Sequence, residues 1–132
     1  MLERMGLSDP ESILGAYPFQ LSGGQRQRVG IAMAMTFQPK LLLADEPTSA
    51  LDVTTQAQIV RQMLELRDTY GTAILLVTHN LAVAAYMASR ILVMRNGSTV
   101  EQGDRESLLR SQEPYTRQLL QAVPDLGGKC YV

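Results

Sequence analysis

The stretch Leu41-Leu42-Leu43-Ala44-Asp45-Glu46-Pro47-Thr48-Ser49-Ala50-Leu51-Asp52 constrains this chain more than any other. An apolar run without polar alternation ends in two adjacent carboxylates, then a proline, then a polar turn that closes on a third acid. Such a run reads as a strand buried on both faces, the habit of parallel sheets. In open parallel sheets the chemistry sits beyond the carboxyl ends of the strands, which is where Asp45 and Glu46 fall. One acid of such a pair suits magnesium, and its neighbour suits activation of a water. An isolated Asp-Glu pair reads better as a strand end followed by a solvated acidic turn, so its meaning depends on what surrounds it.

The surroundings are informative. Leu21-Ser22-Gly23-Gly24-Gln25 precedes a proline-free run rich in Ala, Met, Val and Ile, read as a helix over 25–37 with Ser22 as its N-cap. A helix opened by Ser-Gly-Gly offers free N–H groups, a hydroxyl and the positive end of the helix dipole, an arrangement that suits phosphate. A plain cap with flexible glycines fits the same residues. Met33 and Met35 read as core filler, and Arg26 and Arg28 equally as surface charges. After Asp52 a second helix spans 53–70, with Ile59, Met63 and Leu66 on one face and Gly71 as its stop. Residues 73–78 form a second apolar strand that runs into His79. Strand, helix, strand is a βαβ unit, so the two strands are expected to be parallel. If they are neighbours, His79 emerges beside Asp45 and Glu46.

Around this centre the punctuation is local. Ser8 or Asp9 caps a helix with Pro10 in its first turn, and Tyr17-Pro18 breaks it. Asn80 caps a helix over 81–88. Asn96-Gly97 turns a strand at 91–95 into its partner at 98–102. Asp104 caps a short helix to about 109, and Glu113-Pro114 opens a last one that Pro124 ends. The tail through Cys130 is expected to fray.

Composition narrows the function classes. With 12 basic and 13 acidic residues among 132, nothing suggests general nucleic-acid affinity. The single Cys130 supports neither a disulfide framework nor a multi-cysteine metal site. No apolar run approaches the roughly 20 residues that span a bilayer. Any membrane association would come through a partner.

Taken together, the motifs make the chain resemble the ATPase subunit of ATP-binding-cassette (ABC) transporters. Leu21-Ser22-Gly23-Gly24-Gln25 matches the family signature, Leu41 to Glu46 the Walker B strand with its glutamate, Ser49-Ala50-Leu51-Asp52 the D-loop, and His79 the switch histidine. Tyr17-Pro18, Gln56-Ala57-Gln58 and Glu113-Pro114-Tyr115-Thr116-Arg117 look like the peptide and nickel importer branch. The resemblance implies an α/β fold: part of a P-loop NTPase, with 1–38 from the helical subdomain, 39–97 from the α/β core, and 98–132 a C-terminal hairpin strand and helices. It implies ATP and Mg2+ as ligands. Glu46 would polarise the attacking water, His79 would contact the γ-phosphate, and Asp45 would hold Mg2+, through a water. Ser22, Gly23, Gly24 and Gln25 would grip ATP bound mainly by a second ABC ATPase subunit, and Asp52 would communicate across that interface. Membrane permease subunits, and indirectly an extracytoplasmic solute-binding protein, are the implied partners, with the ATPase on the cytoplasmic face of the membrane.

One family element is missing from these residues. The phosphate loop Gly-x-x-x-x-Gly-Lys-Ser/Thr appears nowhere in them. The resemblance therefore implies the C-terminal portion of such a domain, with the loop upstream of Met1. The other reading is a truncated, non-catalytic chain that acts at most in trans on a partner ATPase. A parallel sheet without its phosphate-loop strand would expose apolar edges and faces, so this chain alone is expected to be poorly soluble or loosely packed.

Overall fold

A computed structural model describes residues 1–49 and 51–122. Ala50 in the polar turn, the expected stop at Pro124 and the tail with Cys130 lie outside these residues. The chain forms two compact units, Met1–Val77 and Thr78–Val132.

In the first unit a 3-10 turn at Glu3–Met5 closes on Gly6, whose φ of 66° is the left-handed conformation glycine adopts without penalty. Helix α1 (Pro10–Gly15) starts where the sequence indicates, with Asp9 accepting a hydrogen bond from Ser12 N–H and Pro10 in the first turn. Helix α2 (Gly23–Met35) follows a second 3-10 turn at Pro18–Gln20. Strand β1 (Leu41–Asp45), helix α3 (Val53–Tyr70) and strand β2 (Ala73–Val77) complete the unit. Helix α3 begins and ends as the sequence reads, capped by Asp52 and stopped at Gly71 with φ 63°. It buries Ile59, Val60, Met63 and Leu66, the stripe its periodicity marks. Helix α2 packs on α3, and the Glu3–Met5 turn touches both.

Strands β1 and β2 are parallel neighbours, with Leu41 opposite Ala73 and Asp45 opposite Val77. The ladder is anchored at its start by Ala73 N–H donating to the Lys40 carbonyl at 2.8 Å. The buried Thr72 hydroxyl donates to the Pro39 carbonyl at 2.7 Å. The expectation that β1 is buried on both faces is wrong for this chain. Leu42 and Ala44 are buried, but Leu41 and Leu43 are 53% and 68% exposed, and across the ladder Leu75 and Val77 are 57% and 55% exposed. A parallel sheet hides both faces only when a layer covers each, and nothing among the described residues covers the second. One exposed leucine is ordinary, but four large apolar side chains in a row across two strands make a patch. One face of the β1–β2 pair is thus apolar and exposed among the described residues.

Two smaller corrections fall in α2. Met35 is buried but Met33 is exposed, because two positions along a helix turn the side chain by about 200° to the other face. Gly23 and Gly24 lie inside the first helical turn rather than ahead of it.

In the second unit, helix α4 (Leu81–Met87) is capped by Asn80, whose Oδ1 accepts from Ala82 and Val83 N–H. Strands β3 (Ile91–Arg95) and β4 (Ser98–Gly103) form the antiparallel hairpin. The turn carries Asn96 at φ 49° and Gly97 at φ 78°, both in the left-handed region a two-residue hairpin turn requires. A bulge interrupts the register between Val93 and Met94. Helices α5 (Arg105–Leu109) and α6 (Pro114–Gln121) follow, capped by Asp104 and Glu113. The core of this unit is Ile91, Val93 and Leu108, packed by Val100, Tyr115 and Leu119. Among the described residues, no helix is long and apolar enough to cross a membrane.

Candidate functional site

Two helix N-termini meet in the first unit. At α2, Ser22 Oγ accepts from Gln25 N–H at 3.2 Å, while Gln25 Oε1 accepts from Ser22 N–H at 2.8 Å, a reciprocal capping box. At α3, Asp52 Oδ1 accepts from Thr55 N–H at 2.9 Å and Oδ2 accepts from the Thr55 hydroxyl at 2.7 Å. The Thr55 hydroxyl and then its N–H hold the Asp52 carboxyl below its ordinary value of 3.8, so it stays charged. Between the two caps lies an open groove of about 430 Å³ lined by Ser22, Gly23, Gly24, Gln25, Arg28, Leu51, Asp52 and Thr55.

The closeness of the helices depends on Gly24. A Cβ placed there would sit 2.8 Å from Thr55 Cγ2, nearer than real Cβ atoms approach, whereas at Gly23 the nearest atom, Leu51 Cδ2, is 3.7 Å away. With no side chains at Gly23 and Gly24, the first two positions of α2, their N–H groups, which have no partner within the helix, face no steric cover of their own. The electrostatics are mixed. Asp52 opposes an anion, while Arg28 and the dipoles of α2 and α3 favour one. The groove thus suits an anion presented from outside rather than one enclosed by this chain.

The acid pair lies elsewhere in the same unit. Asp45 ends β1 on the exposed face, in register with Val77. Glu46 has φ 45°, a left-handed backbone rare outside glycine, which costs about 1–3 kcal/mol and is held only where neighbours impose it. Here Glu46 N–H donates to the Val77 carbonyl at 2.9 Å, extending the ladder by one residue. Its carbonyl accepts from Ser49 N–H at 3.2 Å and from the Ser49 hydroxyl at 2.9 Å. Strain at the carboxyl end of a parallel strand, fixed by backbone bonds on both sides, is a mark of functional positions.

His79 belongs to the second unit and is exposed, carried in the link between Thr78 and the α4 cap, where Asn80 N–H donates to Thr78 Oγ1 at 3.0 Å. Of the residues the sequence singles out, the structure brings Ser22, Gly23, Gly24, Gln25 and Asp52 to one groove. Asp45, Glu46 and His79 do not line it. Sequence reasoning missed Thr55 and left Arg28 as a surface charge. A signal for Arg28 existed, since Ser22, Gln25 and Arg28 recur every three residues and share a helix face.

Asp45 is one accessible carboxylate, and among the described residues no group of three or more His, Cys, Asp or Glu could hold a metal by itself. That fits Mg2+, which binds through one or two carboxylates plus substrate phosphates and keeps several waters.

The family profile described as ABC transporter matches residues 1–49. The dipeptide transport ATP-binding protein DppD of Escherichia coli (strain K12) is 51% identical over 126 residues, 95% of this chain and 38% of that protein. The glutathione import ATP-binding protein GsiA of the same strain is 48% identical over 129 residues, 97% of this chain and 21% of that protein. Among solved structures, the ATP-binding cassette MJ0796, in a dimeric post-hydrolysis state bound to ADP and Pi, is 35% identical with a TM-score of 0.69. That match covers 80% of this chain and 44% of that one. The chain therefore spans less than half the length of each of these proteins.

Proposed function

Because this chain belongs to the ABC transporter family of ATP-binding domains, we propose that it supplies the groove by which one ATPase subunit of an importer grips ATP held mainly by another. The observation that carries this reading is the convergence of Ser22, Gly23, Gly24 and Gln25 with Asp52 at two helix N-termini, open on one side. Phosphoryl transfer needs positioning and charge stabilisation more than covalent chemistry, and helix N-termini supply both. In this reading Glu46 takes part in activating the attacking water and His79 hydrogen-bonds the γ-phosphate. Asp45 holds Mg2+, through a water, and the ion when bound with ATP neutralises phosphate charge. Asp52 relays the state of one site to the other. Permease subunits in the membrane receive the movement, and a solute-binding protein delivers the solute. The names of the relatives, dipeptide and glutathione import, favour a small peptide over nickel as cargo.

Mixing the chain with an intact ATPase domain of the dipeptide relative tests the groove. ATP-dependent association, seen by sedimentation, together with altered turnover of the intact domain is the expected result. Neither association nor any change in turnover would make the chain an inert remnant.

A further inference from the structure

The two walls of the groove are tied together by one side chain. Arg28 Nη2 donates to Gln58 Oε1 on α3 at 2.6 Å, and Nη1 donates to the Gly6 carbonyl at 3.2 Å. The second turn of α2 is thereby joined both to the second turn of α3 and to the turn at Gly6. That turn is itself tightly enclosed. A Cβ at Gly6 would lie 2.6 Å from Gln62 Nε2 and 3.4 Å from Arg28 Nη1, so α2, α3 and Gly6 converge around the guanidinium. The third nitrogen, Nε, is buried without an acceptor among the described residues. That donor carries its desolvation penalty in either role, and the two bonds made by the terminal nitrogens, which join α2 to α3 and to Gly6, are what offset it.

We propose that Arg28 is a positioning residue for the groove, holding the N-termini of α2 and α3 at the separation from which they receive a phosphate. The proposal rests on the reading of the groove as a phosphate grip. It gives Arg28 an indirect role, because both terminal nitrogens already donate to protein acceptors on either side. Lysine cannot replace it, since a single ammonium on a flexible stem does not present a planar fork to two acceptors at once.

Amide hydrogen exchange on the full 132-residue chain provides the test, with Arg28→Lys, Gln58→Ala and the double variant. Each single substitution is expected to speed exchange about fivefold at Gln25, Arg26, Thr55 and Gln56, whose amides bond to the two caps, while the β1–β2 ladder is unchanged. The double variant is expected to exceed neither single by more than measurement error, because the two side chains form one link. ATP-dependent association of Arg28→Lys with the intact ATPase domain should weaken about tenfold when measured well below the melting temperature of the variant, where the chain stays folded. A uniform rise in exchange that includes the ladder, or additive effects of the two substitutions, would reduce Arg28 to a structural role and overturn the proposal. Failure of the unsubstituted chain to associate, with the exchange pattern as expected, would instead sink the phosphate reading and leave the clamp standing.

Discussion

Glu46→Gln, placed in an ATPase subunit that joins these residues to a phosphate-loop half, is expected to lower turnover by about two orders of magnitude or more while ATP binding persists. The substitution exchanges a carboxylate for an amide of nearly equal shape. It therefore removes the proton acceptor without disturbing the backbone at φ 45° or its bonds to Val77 and Ser49. Gln tolerates that backbone conformation no better and no worse than Glu, and a melting temperature on the same preparation separates any change in stability from the loss of turnover. Turnover and nucleotide affinity measured on the same preparation separate the two effects. Near-normal turnover would end the assignment of Glu46 as the group that activates water.

The second large effect is expected at Gly24. Gly24→Ala puts a methyl 2.8 Å from Thr55 Cγ2, and overpacking of this kind costs about 1–3 kcal/mol. Helix propensity returns roughly 1 kcal/mol, because alanine is favoured over glycine inside a helix. The steric term wins at the middle of its range, for a net loss of up to about 2 kcal/mol, and the groove opens as α2 shifts off α3. Thr55→Ser offers an internal control. It deletes the offending Cγ2 while keeping the hydroxyl that donates to Asp52. The pair Gly24→Ala with Thr55→Ser should recover both thermal stability and ATP-dependent association. If Gly24→Ala alone is neutral or stabilising, the close approach of the two helices does not set the groove.

The parts of this molecule that were legible in its sequence are those decided within a few residues. The caps at Ser22, Asn80 and Asp104 each accept the bond their position implies, and of Ser8 and Asp9 it is Asp9 that does so, because a short polar side chain before a helical run has few other partners. The Asn96-Gly97 hairpin follows from the need for positive φ at both turn positions. The parallel pairing of β1 and β2 follows from an intervening helix long enough to return the chain to the same edge. What the sequence withheld depends on distant residues. An apolar strand looks the same whether one face or two are covered, so Leu41 and Leu43 read as core. Thr55 carries no motif of its own, and only its approach to Gly24 reveals it. Arg28 could not be told from a solvated arginine until Gly6 and Gln58 were found beside it. Glu46 is a mixed case. Its chemistry was suggested by the neighbouring acid, but the left-handed backbone that sets it apart is a property of the turn to Ser49.

The central claim is that the Ser22–Gln25 end of α2 meets the γ-phosphate of ATP bound by a different subunit. Photolabelling tests it most directly. An ATP derivative with a photoreactive group on its γ-phosphate is bound to an intact ATPase domain of the dipeptide relative, this chain is added, and the crosslinked peptides are sequenced. Label within residues 22–28 of this chain, lost when unmodified ATP is in excess, is the result this account requires. Label confined to the intact domain, with this chain unmodified at the same occupancy, would contradict it.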